Sequence, residues 1–149
     1  MSEHHVKIAW NKLNASKESY NWAFDNGTEL KATHDATGKS DHDIVDPESA
    51  YVASLSSCHM LSFLAIAAKR GMPVRSYTDE ASGFLEKNEN GRIAITRAVL
   101  RPKVSFVTNT VSWEELERLH EMAHRNCFIA NSVVTRISIE PQRVAETAT

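Results

Sequence analysis

The chain is 149 residues long, 42% hydrophobic and 24% charged, with a formal net charge of -2 and two cysteines. That length suits one domain with a real hydrophobic core, and a near-neutral balance without a basic stripe argues against nucleic acid as a partner. No uninterrupted apolar run approaches the roughly 18 residues that cross a bilayer. Residues 1–10 lack the layout of a secretory signal, and two cysteines are too few for a disulfide scaffold, so a cytoplasmic, membrane-free protein is expected.

Val6, Ile8 and Trp10 alternate with polar residues, the pattern of a half-buried strand. Tyr20, Trp22 and Phe24 repeat it, Asp25-Asn26-Gly27 supplies a tight turn, and Leu30 and Ala32 fall on the returning strand, so an antiparallel meander opens the chain. Residues 33–45 are polar and irregular, a loop rather than a linker. Asp46-Pro47-Glu48 starts a helix, with a capping Asp, a Pro suited to the first helical position, and a carboxylate at the positive end of the dipole. Gly71 and Pro73 stop it after about Arg70. Its apolar residues fall on nearly every face, which predicts a central helix covered on most sides.

Residues 74–85 and 92–107 read as two long strands joined at Asn88-Glu89-Asn90-Gly91, with Pro102 at a strand edge or bend. Ser112 and Glu115 make a capping box, and Val111 with Leu116 a hydrophobic staple, for a second helix ending at Asn126. Leu116, Leu119, His120 and Ala123 share its inner face. Residues 133–139 alternate as a last strand, and 143–149 read as a frayed tail. Nothing in this order marks a second domain, so residues 1–149 are expected to form one.

The thiols lie in Ser56-Ser57-Cys58-His59-Met60, inside the first helix, and in His124-Arg125-Asn126-Cys127-Phe128, after the second. Free cysteine is commonly an inert core residue. A nucleophilic one needs help toward the thiolate, and Ser56, Ser57 and His59 place polar groups beside Cys58 where they are costly unless satisfied or used.

Asp46-Pro47-Glu48-Ser49 and Ser56-Ser57-Cys58-His59-Met60-Leu61-Ser62-Phe63-Leu64 resemble the first cysteine motif of the OsmC/Ohr family. Cys127-Phe128-Ile129-Ala130-Asn131-Ser132-Val133 resembles the second, and the resemblance runs from about residue 6 to 140. It implies an α+β OsmC-like fold: antiparallel sheets, a long central helix and a second helix, in an intertwined homodimer with its sites where the subunits meet. It implies, too, a thiol peroxidase for organic hydroperoxides. Cys58 becomes a sulfenic acid, Cys127 closes a disulfide with it, and an external dithiol of the lipoyl type restores both; no bound cofactor is implied. Glu48 matches the family's active-site glutamate. In an uninterrupted helix it stands about 15 Å along the axis from Cys58, so either the helix breaks near Ser56-Ser57 or Glu48 serves the other subunit's cysteine, the arrangement favoured here. The family's peroxidases draw an Arg from the N-terminal half. This chain's first is Arg70, which leaves Lys31, His34, Lys39, His42 or Arg125 to take that place.

Two other classes compete. His120, His124 and Cys127, with Cys58 or His59, have the residue types of a metal shell. A non-catalytic dimer could instead hold a small apolar ligand between its central helices. Trp10, Trp22 and Trp113 are expected in core or dimer packing.

Overall fold

Asn26 and Gly27 close the first turn. Gly27 takes φ +87°, a conformation that suits glycine, and the Asn26 Oδ1 accepts the Thr28 amide at 3.0 Å. The turn sets the register of β2 (Ser19–Phe24) against β3 (Glu29–Thr33), with Trp22 opposite Leu30 and Tyr20 opposite Ala32. The structure, a computed structural model, describes residues 1–10, 19–33, 44–108 and 110–145. The chain divides into two compact units, Met1–Tyr51 and Val52–Thr149.

In the first unit β1 (Val6–Ala9) and β4 (Ile44–Val45) complete a sheet ordered β1-β2-β3-β4, antiparallel except for the β3–β4 pair. Tyr20, Trp22 and Phe24 line one face of β2 with ring centroids 6.5 and 6.4 Å apart, the first pair tilted and the second edge to face. The half-burial expected of β1 is corrected: Val6, Ile8 and Trp10 are 52, 54 and 56% exposed. Most of the polar loop expected over 33–45, with His34, Lys39 and His42, lies outside the described residues.

The first helix, α1 (Pro47–Lys69), has the expected ends. Asp46 caps it, accepting the Ser49 amide and hydroxyl, each at 2.7 Å. Burial pushes the Asp46 carboxyl up, but the two bonds from Ser49 prevail and hold it below its ordinary range. At the other end Gly71, at φ +69°, lets the Met72 amide reach the Ala67 carbonyl and its own amide reach Ala68, which satisfies two terminal carbonyls.

In the second unit α1 buries one stripe, Leu55, His59, Phe63 and Ala67, repeating every four residues. The expectation that α1 is covered on most sides is therefore not met within the chain, and Leu61 is 62% exposed. By length and composition α1 is apolar enough to cross a bilayer, which a count of uninterrupted apolar residues misses. A core helix passes the same test, and α1 buries one stripe of its surface in this chain.

The two expected long strands each break at a corner. Asp79 ends β5 (Val74–Asp79) and Ser82 begins β6 (Ser82–Lys87), while β7 (Ile93–Leu100) passes at Arg101 into β8 (Pro102–Phe106). β5 pairs with β8, β6 with β7, and β9 (Arg136–Ile139) adds to β7 in parallel. Asp79 accepts the Arg101 amide at 2.6 Å, and the Arg101 guanidinium donates to the Glu80 carbonyl and the Ser82 hydroxyl at 3.0 and 2.8 Å, so polar bonds stitch the bend. Pro102, with no amide hydrogen to pair, is the first residue of β8.

The second helix, α2 (Trp113–Asn126), starts on the full capping box of Ser112 and Glu115 and buries the inner face read from its sequence. Leu116, Leu119 and Ala123 meet Phe63 and Ala67 of α1 and Val104 of β8 in one core.

Candidate active site

α1 and the end of α2 carry the two thiols to one place. Cys58 is partly exposed on α1, whereas Cys127 is fully buried where α2 ends. The Cys127 thiol feels that of Cys58 as a neighbour. It is pushed up to about 11, first by burial and then by Cys58, while the Ala130 and Ile129 amides pull it down. At neutral pH Cys127 therefore keeps its proton.

The chain turns sharply after Cys127 to hold it there. The Ala130 amide lies 3.4 Å from the Cys127 sulfur and the Asn131 amide donates to the Cys127 carbonyl at 3.0 Å, opening one 3-10 turn over Ala130–Ser132. Asn131 Nδ2 donates back to the Arg125 carbonyl at 3.1 Å, and the Ser132 hydroxyl to the Phe128 carbonyl at 2.7 Å. The second cysteine motif is thus a folded cap on α2, with the Phe128 ring left exposed beside the thiol.

The polar neighbours of Cys58 have other partners. The Ser56 hydroxyl donates to Asp79 Oδ2 at 2.5 Å, which ties α1 to the strand corner. Ser57 is exposed. His59 is 1% exposed and lies 2.9 Å, Nε2 to Nδ1, from His120, which is 2% exposed. Their rings are 5.2 Å apart and within 9° of parallel.

Burial holds His59 down to about 4, helped by the nearby charge of His124 and opposed by Asp79. Burial, then His59 itself, holds His120 down to about 3. Both rings are neutral at pH 7, so one nitrogen of the contact donates and the other accepts. Sequence reasoning placed His120 on the inner face of α2 and missed its partner. The signal was present, since His59 sits four residues from both Leu55 and Phe63 and so falls on the buried stripe.

Glu48 lies in the first turn of α1, which runs unbroken through Ser56-Ser57, so a break of the helix there is not realised. Lys31 is exposed on β3, and Arg125 is exposed two residues before Cys127. The metal shell is not assembled: His120 is engaged with His59, and no group of three or more His, Cys, Asp or Glu side chains is placed for a metal among the described residues.

The family model for OsmC-like protein matches residues 39–142. No curated protein matches the chain. Among solved structures, an OsmC-like protein of unknown function from Vibrio cholerae is 43% identical, with a TM-score of 0.88 over 95% of this chain and 100% of that one. An organic hydroperoxide resistance protein from Elizabethkingia anophelis is 19% identical, with a TM-score of 0.72 over 96% of each chain. One from Bacillus subtilis is 15% identical, with a TM-score of 0.68 over 96% of this chain and 98% of that one. At such identity the last two bear on the fold.

Proposed function

The chain belongs to the OsmC-like family, and on that premise we propose that it is a thiol-dependent peroxidase for organic hydroperoxides, with Cys58 the peroxide-reacting thiol and Cys127 its resolving partner. The observation that carries the reading is a partly exposed Cys58 with a fully buried, protonated Cys127 as its neighbour. A peroxide can reach the first and not the second, and the first is near enough to affect the second.

In the proposed cycle the Cys58 thiolate attacks the terminal peroxide oxygen. The O–O bond breaks, the alcohol leaves after taking up a proton, and Cys58 becomes a sulfenic acid. Cys127 then attacks the Cys58 sulfur, its proton leaves with the hydroxyl group as water, and a disulfide forms. A thiol near 11 is a poor nucleophile until that step, but the departing hydroxide is a sufficient base. A small dithiol of the lipoyl class reduces the disulfide by two exchanges and is itself oxidised; no bound cofactor takes part.

Glu48 acts, on this reading, on the cysteine of a second copy, because an unbroken helix keeps it from its own. A homodimer is further supported by apolar side chains left exposed, notably Val6, Ile8 and Trp10 of the first unit and Leu61 and Phe128 of the second. A monomer by sedimentation velocity at micromolar concentration would remove this role of Glu48. The cell compartment proposed is the cytoplasm, where a lipoyl-type reductant keeps the thiols cycling.

The test is consumption of cumene hydroperoxide with dihydrolipoamide as reductant. Wild type should turn over, Cys58→Ser should fall to the uncatalysed rate, and Cys127→Ser should react once and then over-oxidise at Cys58, seen as added oxygen by intact-mass spectrometry. A wild type with no turnover and thiols inert to the hydroperoxide would refute the peroxidase.

A further inference from the structure

We infer that His59 and His120 are a positioning pair, whose hydrogen bond fixes α1 against α2 and so sets how readily Cys58 and Cys127 bond to each other. The inference rests on the thiol reading above. Its basis is adjacency: His59 follows Cys58 directly on α1, and His120 precedes Cys127 by seven residues, two turns back on the same side of α2. The elements that present the sulfurs are thus joined, next to the sulfurs, by two imidazoles.

Apolar contacts between helices are non-directional and tolerate sliding. A hydrogen bond of 2.9 Å between near-parallel rings does not, because its strength falls steeply with distance and angle. The rings are also wedged. The Phe63 ring, one turn beyond His59, lies 4.4 Å from the His120 ring, and the Tyr77 ring stands 6.5 Å from it.

The pair is not a cheap way to fill this space. His59 Nδ1 and His120 Nε2 are both buried with no hydrogen-bond partner among the described residues, and orphaned buried polar atoms are unfavourable. Two leucines would pack here without that penalty. A fixed distance is what leucines would not supply, and resolution of a sulfenic acid by a second thiol needs one.

The experiment measures the equilibrium of the Cys58–Cys127 disulfide with the glutathione couple, in which glutathione disulfide takes two electrons and two protons from the thiols. The proportions are read by mass spectrometry after an acid quench. His59→Leu and His120→Leu should shift the equilibrium toward the dithiol roughly tenfold, equivalent to about 30 mV. His59→Gln keeps a polar atom where Nε2 stands and His120→Asn keeps one where Nδ1 stands, so each should stay within about threefold of wild type. The misplaced isosteres His59→Asn and His120→Gln should behave like the leucine variants, and they serve if the leucine variants fail to fold.

Leu119→Ala loosens the same core without touching the pair and should leave the equilibrium near wild type. An equal shift in Leu119→Ala, or no shift in any His variant, would overturn this inference and leave the peroxidase reading standing. A wild type that forms no intramolecular disulfide at any glutathione ratio would overturn both.

Discussion

The two helices that carry the thiols are built on opposite plans. α2 is 14 residues long, amphipathic, and capped by its own Ser112 and Glu115, and its inner face of Leu116, Leu119, His120 and Ala123 is what its own chain buries. α1 is 23 residues long and apolar on nearly every side, yet its chain buries Leu55, His59, Phe63 and Ala67 while Leu61 stays exposed. α2 is complete as a helix of one chain. Among the described residues α1 leaves apolar surface uncovered, Leu61 above all. At their joint both plans are set aside, and two neutral imidazoles meet where either pattern calls for leucine.

That joint gives the largest predicted effect. His59 and His120 are held near 4 and 3 in the folded chain, below the usual 6.5 of an unfolded histidine. Folding therefore excludes protons, and its full stability is present above pH 6.5. As pH falls from 6.5 toward 4 the unfolded chain takes up protons that the folded one refuses, a loss on the order of 3 kcal/mol for each ring considered alone. Urea unfolding at pH 7, 5.5 and 4 measures it. The double variant His59→Gln/His120→Asn should lose much less over the same range, and an equal loss would place the acid sensitivity elsewhere.

Phe63→Ala and Leu61→Lys separate the two faces of α1. Phe63 is fully buried and touches Tyr77, Phe106 and His120, so its truncation should destabilise the chain by about 3–5 kcal/mol in urea unfolding. Leu61→Lys should leave the core circular dichroism signal unchanged and weaken self-association in sedimentation. A Leu61→Lys protein that unfolds like Phe63→Ala would mean that the exposed face is core after all. Gly83→Ala ranks next: a Cβ there would lie 2.5 Å from the Val52 Cγ2, a stiff side chain, so overpacking should cost about 1–3 kcal/mol.

What was legible in the sequence follows the same division. Local signals read true: the Asn26-Gly27 turn, the Asp46 cap, the Gly71 stop and the Ser112–Glu115 box each depend on residues within a turn of one another. Signals that depend on distant partners did not. The exposure of β1 and of Leu61 depends on what covers them, and alternation or apolarity alone cannot say whether the cover belongs to the same chain. The strand corner was invisible because Asp79 and Arg101, which make it, are 22 residues apart. At the site the cysteine motifs placed both thiols on the right elements. Ser56 and His59 were marked as polar groups needing partners, but the partners, Asp79 and His120, come from other elements.

The smallest predicted effect tests whether α2 is as self-sufficient as its plan suggests. The Ser112 hydroxyl accepts the Glu115 amide at 3.2 Å, and the Glu115 carboxylate accepts the Ser112 amide at 3.0 Å. Ser112→Ala removes the first bond and leaves the second, for a loss of about 1 kcal/mol in urea unfolding. The box lies at the opposite end of α2 from Cys127, and Leu116, Leu119 and Ala123 hold the helix to the core in between. The disulfide equilibrium should therefore not move. A shift there as large as that of His120→Leu would show that α2 transmits fraying along its length, and the rigid placement of Cys127 by the histidine pair would lose its basis.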